Sequence, residues 1–190
     1  MKFLHLIILL TLSSPFLCSA QDHMETEHNV NVSFNVPKTN IIDIASLNGN
    51  DITFNPTDID AVGNGMDFSL VNNELWLNYT VVKSNAYSLK HINVSVTASN
   101  FPNGMSLKVK IDPDANLGKG DIGTPVVGFT DLIPDAGSIE LISDIGSCFT
   151  GNGINRGHNM HFKLDYDNTY YDELHTNFDT IIILTYTITD

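Results

Sequence analysis

His91-Ile92-Asn93-Val94-Ser95-Val96-Thr97 and Met105-Ser106-Leu107-Lys108-Val109-Lys110-Ile111 alternate apolar with polar side chains step by step. A period of two puts Ile92, Val94 and Val96 on one face of an extended chain and Asn93 and Ser95 on the other, the pattern of a half-buried strand. The same signal extends in both directions along the chain. Val30, Val32, Phe34 and Val36 alternate with Asn31, Ser33 and Asn35, and Leu75-Trp76-Leu77-Asn78-Tyr79-Thr80-Val81-Val82 repeats the period. From Thr180 to Thr189 nearly every position is β-branched or aromatic. Turn signals separate these runs: Asn48-Gly49-Asn50-Asp51, Gly63-Asn64-Gly65, Asn100-Phe101-Pro102-Asn103-Gly104 and Gly151-Asn152-Gly153. The best helical stripe is short, Thr169 to Leu174, where Tyr170 and Leu174 share a face. About nine to eleven short strands with glycine, asparagine and proline turns predict an all-β fold, an antiparallel β-sandwich of the Ig-like or jelly-roll-like kind.

The N-terminus has the three parts of a secretory leader. Lys2 supplies the positive start, Phe3 to Leu10 the apolar run, and Cys18-Ser19-Ala20 a small-residue cleavage site before Gln21. The run is far shorter than the roughly 20 apolar residues that cross a bilayer. Residues 1–20 are thus expected to be a signal peptide and residues 21–190 a single β-sandwich domain, with 21–27 a loose polar tail and export to the cell surface or beyond. No internal repeat, low-complexity linker or composition shift divides that domain. The 190-residue chain carries a net charge of −13, and the leader holds one lysine and no acid, so the mature part is more negative still. Such a surface repels phosphate backbones and anionic head groups, which argues against nucleic acid as a partner.

Asp112-Pro113-Asp114-Ala115-Asn116 and the following Asp121 place oxygen-bearing side chains at alternate positions, as loops that hold calcium do. Asp112, Asp114, Asn116 and Asp121 are the candidate ligands. The helix-loop-helix pattern is not met, because Leu117 stands where its sharp-turn glycine belongs and Gly123 where its bidentate glutamate belongs. A solvated acidic turn is the competing and preferred reading. His158 and His161 are three apart, which on a strand means opposite faces, so the pair does not converge on zinc; His175 stands apart. Gly151 to Gly157 lacks the Lys-Ser ending of a phosphate loop and reads as a tight turn into a strand near His158. Cys148 is alone once Cys18 leaves with the signal, and is expected as a small buried hydrophobe. No nucleophile elbow or diagnosed acid–base pair is present, so catalysis is not expected. Asn31, Asn78 and Asn93 match the glycosylation pattern but fall in expected strands, at outward positions. Trp76, Tyr79, Tyr166, Tyr170 and Tyr171 are candidates for stacking on a sugar, with core packing preferred for Trp76.

The last strand, Ile181 to Thr189, is the most apolar of the chain and stops one residue before its end at Asp190. Together with the alternating Val30-Val32-Phe34-Val36 near the mature start, this resembles bacterial pilus subunits of the chaperone-assisted kind. The resemblance implies an incomplete sandwich finished by an N-terminal strand from the next subunit, with residues 29–36 as donor. The chain departs from that family in lacking an intrachain disulfide, and the donor-like segment reads equally as an ordinary first strand. The expected role is an exported, non-catalytic structural or adhesive surface protein that assembles with itself or with another surface protein. A secreted module binding carbohydrate or calcium is the alternative, and a secreted hydrolase comes last.

Overall fold

The computed structural model describes residues 32–56, 61–85, 88–175 and 180–190. The chain divides into two units, Met1–Asn35 and Val36–Asp190. Of the first, only residues 32–35 are described, and they are irregular and exposed. Among its described residues the second holds eleven strands in chain order: β1 Thr39–Ser46, β2 Leu70–Val82, β3 Lys90–Ala98, β4 Met105–Ile111, β5 Lys119–Gly120, β6 Thr124–Pro125, β7 Thr130–Asp131, β8 Ser138–Ile145, β9 Cys148–Phe149, β10 His158–Tyr166 and β11 Ile182–Thr189. They form two antiparallel sheets packed face to face. The larger runs β5-β9-β2-β10-β4-β7, with β1 on the other edge of β2, and the smaller runs β11-β3-β8-β6. The expected all-β sandwich is what the chain builds.

The alternation sets which side chains meet between the sheets. Leu75, Leu77, Tyr79 and Val81 of β2 face Ile92, Val94 and Val96 of β3 across a core completed by Leu107, Val109 and Ile111 of β4 and Met160, Phe162 and Leu164 of β10. Ile92 and Val94 are wholly buried, as their period requires. His158 lies inward on β10 and His161 outward, so the two imidazoles occupy opposite faces. The short stripe at 169–174 becomes a single 3₁₀ turn, Asn168–Glu173, capped by Asp167 accepting from the Thr169 amide. It buries no side chain, which is why it has too little apolar contact to grow into an α-helix.

Two expectations change. Val32, Phe34 and Val36 lie in no strand and are 84%, 87% and 61% exposed, while Val30 lies outside the described residues. The first strand is instead β1, paired along β2 from Thr39–Val82 to Ser46–Leu75. Alternation reports a two-faced segment without saying which strand edge it pairs with; both edges of β2 are taken, by β1 on one side and by β10 with β9 on the other, and residues 32–36 pair with no described strand. Trp76 points to the outer face, opposite Ala45 and Asn159 and out of phase with the buried Leu75 and Leu77. Core packing is therefore not its role. The most apolar strand is an edge strand: among the described residues β11 pairs with β3 alone, and Ile183 is 59% exposed.

Candidate functional site

One side of the sandwich is open. β1 and β11, the terminal strands of the two sheets, lie beside each other, and among the described residues each keeps one hydrogen-bonding edge free. The inward residues of β11, Ile182, Leu184, Tyr186 and Ile188, are only partly buried, as are Ile42 and Ile44 of β1. Their neighbours one strand further in, Ile92, Val94 and Val96, are at most 3% exposed. Between the edges lies a half-open cavity of 1170 Å³. Its apolar walls include Ile44, Leu75, Leu107 and Phe162 from the larger sheet and Leu184 and Tyr186 from the smaller. Asp51, His175 and Thr180 bring polar groups to its lining. Burial raises the Tyr186 phenol well above its ordinary pKa and keeps it neutral. Two strand edges without partners among the described residues thus flank a cavity lined largely by apolar side chains.

A polar cluster sits inside the fold at the start of β10. His158 is fully buried, with Nδ1 2.9 Å from the Asp112 carbonyl oxygen and Nε2 2.9 Å from the Tyr79 hydroxyl. With Nδ1 donating to the carbonyl, Nε2 of the neutral ring carries no hydrogen, and the single phenol hydrogen is shared between Nε2 and the Ile122 carbonyl. Tyr79 also reaches the Ile122 carbonyl, and its ring stacks on the imidazole at 5.6 Å between centroids. Burial lowers the His158 pKa, partly offset by the Asp112 carbonyl and the Asp114 charge, and burial raises that of Tyr79. Both groups stay neutral and pin the segment between Asp112 and Ile122 to the core. Sequence spacing gave no sign of this pair, because the two residues are 79 positions apart.

Asp112, Asp114 and Asp121 each have different neighbours. The Asp112 carboxylate is held by His161 Nε2 at 2.7 Å and by Lys110 Nζ at 2.8 Å. Partial burial acts against its charge, but those two partners win and hold it below the ordinary carboxylate range. Asp114 Oδ2 accepts from the Asn116 amide at 2.7 Å, while its other oxygen is buried without a partner. Asp121 packs over Gly146. Among the described residues no three His, Cys, Asp or Glu side chains gather where an ion would sit. Cys148 is buried beside Val81, and burial, with the Asp121 and Asp114 charges, pushes its thiol up to about 11. Of the glycosylation matches, Asn31 lies outside the described residues, Asn78 is 3% exposed with its amide donating to the Gly153 carbonyl, and Asn93 donates to Thr189. Tyr166 donates to the Tyr170 carbonyl, and Tyr170 and Tyr171 are exposed on the 3₁₀ turn.

No family model matches the chain, and neither a curated protein nor a solved structure does. The open side between β1 and β11 therefore has to be interpreted from its own geometry.

Proposed function

We propose that the mature chain is an exported, non-catalytic structural or adhesive surface protein that joins its neighbours by accepting an extended strand at the open side of the sandwich. The observation that carries this is the pair of free edges, β1 and β11, over a large apolar cavity. An apolar void left dry costs about 24 cal/mol per Å³. For 1170 Å³ that is about 28 kcal/mol, more than the roughly 5–15 kcal/mol by which a whole domain is stable. The space is thus no sealed void but a cavity open to solvent, and an apolar occupant would remove its apolar lining from water. An entering strand supplies both what the edges lack in backbone partners and what the cavity lacks in side chains. Val32, Phe34 and Val36, alternate and exposed in this chain, are side chains of the right spacing for a donor.

The test is native mass against concentration for residues 21–190, with and without residues 21–36. Concentration-dependent assembly that the truncation abolishes, in a product that still folds, is the expected result. A chain that stays monomeric throughout, and ignores an added peptide of residues 29–37, refutes the strand-accepting role. One observation favours a second reading. Trp76 lies on the outer face of the larger sheet among Ala45, Asn159 and Asp43, where an indole can stack on a sugar; Trp76→Ala lowering retention on a polysaccharide resin without changing assembly would select it.

A further inference from the structure

The cavity is not lined by strands alone. Residues Asn50 to Pro56 run along it, and their exposure alternates: Asp51, Thr53 and Asn55 are exposed, whereas Ile52, Phe54 and Pro56 are partly buried. Ile52 and Phe54 pack against the buried core. This is the side-chain pattern of a strand with one face inward. Yet the segment belongs to no strand, and among the described residues no backbone hydrogen bond joins it to either sheet. It fills part of the open side through side chains only and leaves the edges of β1 and β11 unpaired.

The residues that do so echo the donor. Ile52-Thr53-Phe54-Asn55 repeats Val32-Ser33-Phe34-Asn35 position by position: a β-branched aliphatic, a hydroxyl, a phenylalanine and an asparagine. A proline follows within two residues in both cases, Pro56 and Pro37. The two copies differ in their surroundings. Phe54 is packed on the core, while Phe34 is 87% exposed. They differ also in what they can bond. Pro56 has no amide hydrogen to give a ladder, whereas the corresponding Val36 has one.

We infer that residues 51–56 are a resident placeholder, occupying in each free molecule the site that residues 32–36 of a second copy take on assembly. The inference rests on the strand-accepting role proposed above. Ile52 and Phe54 cover apolar surface that would otherwise meet water, which keeps the free chain soluble. Because they gain no ladder bonds, they yield to a strand that offers the same side chains and pairs its backbone as well. The occupant is a second copy of this chain: its Val32-Ser33-Phe34-Asn35 matches the placeholder in residue type at four successive positions. Exchange replaces Phe54 by the incoming Phe34 and forms backbone hydrogen bonds with no prior equivalent.

The thiol introduced by Phe54→Cys reports the exchange, since the native Cys148 is buried and its raised pKa leaves it unreactive. The mature chain carrying Phe54→Cys is treated with a maleimide, with and without a peptide of residues 29–37. Labelling at position 54 at least tenfold faster with peptide is expected, and a peptide carrying Phe34→Ala should lose that acceleration. A second variant, Thr53→Cys, guards against misfolding at the packed site: its side chain is already exposed, so its labelling should be fast with or without peptide. Peptide binding without accelerated labelling at position 54 overturns the placeholder and spares the strand-accepting role. No binding of the peptide to wild type or to either variant overturns both.

Discussion

Val94→Asp is the sharpest test of the packing. Val94 is fully buried at the centre of β3, paired with Tyr186 of β11 and Ile139 of β8. Removing its two methyl groups alone, in Val94→Ala, loses about 0.8 kcal/mol for each plus a cavity term, or about 2–3 kcal/mol. A domain of this size shifts its Tm by about 2–4 °C per kcal/mol, so that variant should melt about 5–10 °C low. The carboxyl of Val94→Asp adds more. To stay neutral at pH 7 it must raise its pKa from about 3.9 by some three units, at about 1.4 kcal/mol each. The total of about 6–8 kcal/mol rivals the roughly 5–15 kcal/mol that holds a domain together. The sign with pH follows from linkage. A carboxyl whose folded pKa is raised destabilises most above that pKa and least below the unfolded value, so the gap to wild type should narrow between pH 7 and pH 3.5. Thr97→Asp, exposed on the outer face of the same strand, should stay within about 0.5 kcal/mol of wild type. Thermal melts by circular dichroism at the two pH values decide the matter. If Val94→Asp melts within a degree or two of wild type at pH 7, or its deficit is the same at both pH values, the inward face of β3 has been misassigned.

Acid should weaken the fold through His158. Its folded pKa lies below the ordinary 6.5, so as pH falls the unfolded chain takes up the proton first and stability is lost from about 6.5 downward; His158→Asn should flatten the decline in Tm between pH 7 and pH 5. A wild-type slope unchanged by that substitution would remove the imidazole from the account. Gly120 has φ +91° and a Cβ there would sit 2.2 Å from the Ser147 carbonyl oxygen, whereas Gly128 has φ +82° with open space around it. Gly120→Ala should therefore cost several times the roughly 1 kcal/mol expected of Gly128→Ala, read from denaturant midpoints, and equal costs would contradict the close approach of β5 to the turn before β9. Millimolar calcium should leave the Tm where it was, because Asp112 is held by Lys110 and His161; a rise of several degrees that Asp112→Ala with Asp114→Ala erases would restore the calcium loop.

Alternation along the chain was enough to determine the class of the fold and much of its core. The period at 91–97 and 105–111 becomes β3 and β4 with Ile92, Val94, Leu107 and Val109 inside, because a period of two leaves a strand only one face to bury. His158 and His161 fall on opposite faces for the same reason. Partners are a different matter, since a strand's own residues do not say which edge it meets. Val32 to Val36 and Ile42 to Ile44 carry comparable patterns, yet only the latter pair with β2. β8 escapes a reading by period because Leu141 and Ile142 are both buried in succession, where its pairing with β3 shifts register. Composition makes Thr180 to Thr189 the most apolar strand without saying where it lies, and tertiary packing places it at an edge over a cavity. The significance of Ile52-Thr53-Phe54-Asn55 was invisible for the same physical reason. Four residues after a turn signal become a plug only when distant chain ends, β1 and β11, come together and leave a space of that shape between them.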